Sequence, residues 1–87
     1  MSPLKSEIEI QAVNLAQQWY SLPHERLPEL PELLGRYLQC FSDNNEQQQF
    51  LKETLRITEE LSHGPKAEAV SSHSILVFKE LLLHHIR

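Results

Sequence analysis

Histidine, cysteine and serine are the residues of this chain that could do chemistry. The histidines are His24, His63, His73, His84 and His85. Glu60 precedes His63 by three residues. That is the spacing of a carboxylate–histidine ligand pair in a di-iron helical bundle. Such a centre needs two of these motifs and two further inward glutamates, and the sequence has one motif, at a helix end. A histidine there is better explained as a cation facing the negative end of the helix dipole. Glu80 and His84 are four apart and share a helix face. His84 and His85 read as a solvated C-terminal end. No metal ligands are therefore assigned.

Nucleophilic chemistry finds little support. Cys40 lies near an apolar helix end, with no glycine-rich turn beside it, and is expected to be a small buried hydrophobe. Ser71, Ser72 and Ser74 flank His73 but match no nucleophile elbow, which needs glycines on a strand–turn–helix. Helix capping accounts for them better. With 2 glycines in all, a phosphate-cradling loop is excluded. No catalytic or cofactor-binding residue follows, no small-molecule substrate is evident, and the chain reads as a non-enzyme.

Two binding motifs remain. Pro28-x-x-Pro31 fits the loose pattern of ligands for aromatic-lined grooves. Here it opens a helix, and helix initiation explains it. A helix-turn-helix would need a recognition helix rich in Arg, Lys, Asn or Gln. The third helix offers Asn44, Asn45, Gln47, Gln48, Gln49, Lys52 and Arg56. Glu46, Glu53, Glu59 and Glu60 on the same helix would repel phosphate. A DNA-associated regulator using this polar face is the alternative reading, and nucleic acid is not the favoured partner.

The elements that carry these residues are helical. Leucine occurs 15 times, and Val, Ile and Thr together 10 times. Leu, Glu, Gln and Ala favour helix, while strands want β-branched and aromatic residues. A first helix is expected over 2–20, with Ser2 and Pro3 as N-cap and N1, or starting one turn later at Ser6-x-x-Glu9. Leu4, Ile8, Ala12, Leu15, Ala16 and Trp19 form its apolar stripe. Ile10, Val13 and Tyr20 widen that stripe. Three prolines in 21–31 predict a connector with at most one short turn.

A second helix begins at 28 or 31 and ends near 41, with Leu30, Leu33, Leu34, Tyr37, Leu38 and Phe41 inward. Gly35 weakens it, and could permit close approach of another helix. Asp43-x-x-Glu46 is a capping box that starts a third helix over 43–62. Phe50, Leu51, Leu55, Ile57 and Leu61 face inward, and Gln47 to Gln49 face water. Gly64-Pro65 ends it. The fourth runs from 65 or 71 to 86, as one helix or two. Val70, Val77, Phe78, Leu81 and Leu82 make its stripe, and Ile75, Leu76, Leu83 and Ile86 carry apolar surface around most of its circumference.

The fold expected is all-α, a small antiparallel bundle of three long or four helices with short loops. The 87 residues form one domain, residues 1–87. The net charge of −4 is split evenly between the halves, which argues against binding to nucleic acid or anionic membrane. No apolar run approaches the roughly 20 residues of a membrane span. One cysteine allows no internal disulfide, and no basic n-region with an apolar stretch is visible at the start. A cytoplasmic location is expected.

The strongest signal is surplus apolar surface. A domain of this size buries only roughly 60–65% of its unfolded surface. A second copy, or another protein, is the natural cover for the rest. The expected function is that of an adaptor or regulatory interaction module, homodimeric, with Ile75, Leu76, Leu83 and Ile86 in the contact and Trp19 and Tyr20 as further members.

Overall fold

The computed structural model describes residues 3–63 and 72–86. Four α-helices occur among them: α1 (Pro3–Ser21), α2 (Leu30–Leu38), α3 (Asn44–His63) and α4 (Ser72–His85). Every regular element among the described residues is helical, as the composition requires. Expectations resting on Ser2, the side chains of Leu4 and Ser6, Gly64-Pro65, Val70 and Ser71 lie outside the described residues. Whether the fourth helix extends back to 65 lies outside them too.

The helices run alternately up and down. Gln48 near the start of α3 hydrogen-bonds the carbonyl of His85 at the end of α4. Lys79 meets Glu59 farther along the same pair. Ile8 and Glu9 lie beside Lys52 and Arg56, whereas Trp19, near the end of α1, reaches Ser74 at the start of α4. Leu33 and Arg36 of α2 return past Gln18 and Leu22.

The first stripe packs as its periodicity dictates. Ile8, Ala12, Leu15, Ala16 and Trp19 are all buried. Ile10 and Val13 do not widen it: they are 54% and 39% exposed. At 100° per residue Ile10 points away from Ile8 and Ala12, so apolar character alone cannot turn it inward.

The inner face of α3 is not the one hydrophobicity selects. Thr54 and Thr58 are fully buried beside Phe50 and Leu51, whereas Leu55, Ile57 and Leu61 are only half-buried. The arc centred between residues 50 and 51 passes through 54 and 58. Each threonine hydroxyl donates to the carbonyl four residues back, at 2.8 Å, which satisfies a group otherwise costly to bury. The most extensive helix–helix contact is between α1 and α3. Fully buried Ala12 and Ala16 on one and Thr54 and Thr58 on the other are the small residues that a close approach requires.

The proline stretch is more ordered than a connector. His24–Glu29 forms a 3₁₀ helix with Pro28 inside it. A 3₁₀ turn places residues i and i+3 in register. Arg26 and Glu29 use that register for a two-bond ion pair, both at 3.0 Å. Leu27 points the other way and is buried. α2 then starts at Leu30 with Pro31 in its first turn and ends earlier than expected, at Leu38. Two successive 3.1 Å turn bonds, from Cys40 to Tyr37 and from Phe41 to Leu38, tighten the exit.

Asp43 is the N-cap of α3, its carboxylate accepting from the amide of Asn45 at 2.9 Å. Gln47 and Gln48 do not face water. The Gln47 amide donates to the carbonyls of Leu38, the last residue of α2, and of Phe41 just beyond it. Gln48 does the same for His85 of α4. The last carbonyls of a helix have no partner within it, and α3 supplies partners to both neighbours.

Nothing lies within 4 Å of a Cβ placed on Gly35, so no helix approaches closely there. Gly35→Ala is expected to raise stability by about 1 kcal/mol, seen as a higher urea midpoint at unchanged m-value.

Trp19 ties α1 to α4. Its indole N–H donates to Ser74 Oγ at 3.1 Å, and its ring stacks on Phe78 with centroids 4.9 Å apart. Trp19→Ala should cost about 3–5 kcal/mol. Ser74→Ala, which deprives the indole N–H of this acceptor, should cost about 1–3 kcal/mol. Equilibrium denaturation of both variants checks these values.

Candidate interaction surface

The outer side of α4 is the least covered apolar surface among the described residues. Its inner side buries Ser74, Phe78 and Leu82. On the outer side Leu76 is 56% and Leu83 52% exposed. They are seven apart, two helical turns, and so stand one above the other. Ile75 and Ile86 are half-buried on the flank next to them. Lys79 and Glu80 lie between the leucines, and Lys79 reaches across to Glu59 at 3.6 Å. The arrangement is an apolar strip crossed at its centre by one cation and one anion.

A groove of about 660 Å³ runs along the next side of α4, between that helix and the 3₁₀ segment. Leu27, Pro28, Pro31, Val77 and Leu81 form its apolar lining. His24, Glu25, His73 and Glu80 supply its polar part. The proline-rich stretch thus makes one wall of a groove, which no local motif announced. The imidazoles of His24 and His73 have centroids 5.5 Å apart.

The other residues singled out from the sequence are placed as follows. Trp19 is 1% exposed and belongs to the core, closed to any partner. Tyr20 is half-buried with its ring edge-on to Trp19. Cys40 is exposed and not a buried hydrophobe, because α2 ends at Leu38 and leaves it in the turn. Its thiol makes a long contact, 3.7 Å, with the Arg36 carbonyl. His85 is half-buried, its Nδ1 3.0 Å from the Leu81 carbonyl, so this end of the chain is more tied down than a solvated terminus. Among the described residues no three His, Cys, Asp or Glu side chains converge as a metal site.

The polar side of α3 is largely engaged within the chain. Arg56 donates to both Glu53 and Glu60. The hydrogen bond that Arg56 donates to Glu53, then the charge of Glu53, raises the guanidinium pKa above its ordinary value. With Gln47 and Gln48 also occupied, Lys52, Gln49, Asn44 and Asn45 are the members left facing water. On the 3₁₀ segment, Arg26 lowers the Glu29 carboxyl pKa from its ordinary value, chiefly through their hydrogen bond. Burial pushes the Tyr37 phenol up.

No helix among the described residues is long and apolar enough to cross a membrane. The chain matches no protein-family model, no curated protein and no solved structure.

The two faces of α4 should respond oppositely to truncation. Leu76→Ser or Leu83→Ser should change the stability of the dilute protein by less than about 0.5 kcal/mol, whereas Phe78→Ala should cost about 3–5 kcal/mol. Urea titrations at low protein concentration distinguish them.

Proposed function

We propose that this chain is a small helical interaction module, non-enzymatic, that pairs with a second copy of itself through the outer strip of α4. The observation that carries the reading is the half-exposure of Leu76 and Leu83 on one line of a helix whose opposite side is core. Ile75 and Ile86 flank the contact. Adaptor or regulatory action is the role such a module would serve.

The strip is self-complementary about its own midpoint. A two-fold axis passing between Lys79 and Glu80 makes two α4 helices antiparallel. Leu76 of one copy then meets Leu83 of the other, and Lys79 meets Glu80. A two-fold contact demands this kind of pairing, in which i meets j and j meets i.

Magnitudes set the strength. Full burial of a leucine is worth roughly 1.5–3 kcal/mol. About half of each leucine surface is left to cover, so four leucines supply roughly 3–6 kcal/mol. Association costs roughly 4–15 kcal/mol. The flanking isoleucines and the two charge pairs must supply the remainder, and the pairing is weak and concentration-dependent.

Light scattering of the untagged protein across a dilution series is the test. The mass should rise from 10.1 kDa toward twice that value with concentration. The double variant Leu76→Glu, Leu83→Glu should stay at the monomer mass throughout. A wild-type monomer at every concentration overturns self-pairing. A double variant that still dimerises overturns the assignment to this face.

A further inference from the structure

The groove beside α4 contains a feature that neither helix packing nor capping explains. His63, His84 and His85 lie in the last turns of α3 and α4, where a histidine favours the helix dipole. His24 and His73 do not. His24 opens the 3₁₀ segment, and His73 lies at the opposite end of the described part of α4 from His84 and His85. The fold nevertheless brings together these two rings, from positions 24 and 73, with centroids 5.5 Å apart. Both residues are exposed. Apart from their mutual contact, neither imidazole has a hydrogen bond or ion pair among the described residues.

We propose that His24 and His73 together bind one divalent transition-metal ion of the zinc, nickel or copper class. Neutral imidazole nitrogen is a preferred ligand of these ions. Two imidazoles on one tetrahedral ion, with metal–nitrogen bonds of about 2.0–2.1 Å, have ring centroids about 5 Å apart. The observed spacing lies within a side-chain adjustment of that value. The two histidines are the whole protein share of the coordination, since no third His, Cys, Asp or Glu converges with them among the described residues. Water fills the remaining positions. The carboxylates of Glu25 and Glu80 line the same groove, and their negative charge favours a cation there.

The consequence is mechanical. One ligand stands on the 3₁₀ segment and the other on α4, so the ion clips the proline-rich wall of the groove to the helix opposite. A small domain without a disulfide gains most from such a clip. Binding to the folded chain raises its apparent stability with the logarithm of free metal above the dissociation constant.

Calorimetric titration of the untagged protein with Zn²⁺, paired with thermal melts, tests the site. The wild-type chain should bind one equivalent, with a melting temperature higher by several degrees. His24→Asn and His73→Asn should each abolish both effects. Both positions are exposed, so both variants should fold, and their metal-free melts check this. His84→Asn with His85→Asn should leave binding intact, which separates the site from adventitious capture at the chain end. A wild-type protein that binds no Zn²⁺, or binding that survives either single substitution at 24 or 73, overturns the proposal.

Discussion

The closure of α1 onto α4 through Trp19 is the contact on which the bundle depends. Apart from this region the two helices touch little; the extensive contacts are α1 with α3 and α3 with α4. Trp19 therefore supplies the link between two helices that otherwise meet mainly through α3. It does so with both kinds of interaction an indole offers: a large ring stacked on Phe78 and a polar edge bonded to Ser74. The buried serine hydroxyl accepts this bond. A buried indole N–H without an acceptor would cost about as much as a hydrogen bond is worth. The pair fixes the rotation of α4, and that rotation decides which leucines face out.

The interior is assembled around small residues as much as large ones. Ala12, Ala16, Thr54 and Thr58 are fully buried and bring α1 and α3 close. The aromatic rings then seal the ends. Trp19 and Phe78 close one, and Tyr37, Phe41 and Phe50 the other, with centroids of 6.0 and 5.3 Å to Phe50. Among the described residues no buried side-chain polar atom lacks a partner. The two glutamines at the start of α3 contribute to that economy. They occupy carbonyls at the ends of α2 and α4 and lock the helix order at one end of the bundle.

The apolar surplus of the sequence resolves into two parts. Most of it is core. Among the described residues the rest lies on α1 as Ile10 and Val13, and on α4 as Leu76 and Leu83. The α4 pair is the one with flanking isoleucines and a central charge pair, which gives it the symmetry a two-fold contact needs. The neighbouring groove is a separate surface, built by the 3₁₀ segment. Its histidine pair exists only because the chain folds back on itself there.

The sequence by itself determined the helices and most of the inward stripes. The α1 stripe from Ile8 to Trp19, the Asp43 cap and the break at 42–43 all follow from local spacing and from which side chains can satisfy nearby backbone. The expectation that Leu76 and Leu83 lie on a strip not needed by the core was also legible, as an excess of apolar positions around α4. Tertiary structure decided what local spacing cannot express. Thr54 and Thr58 are core because their arc of α3 is the one the bundle covers, although their side chains are among the least apolar on that face. Trp19 is core and not contact surface because Ser74 and Phe78, more than fifty residues away, complete its environment. Cys40 is exposed because α2 stops one turn early at its turn bonds. The pairing of His24 with His73 had no sequence signature at all, since neither spacing nor periodicity relates a residue of the connector to one of the last helix. Hydrophobic period and capping are local constraints and survive in a linear string. Which faces meet is set by the rotation of each helix in the bundle, and that is a property of all four together.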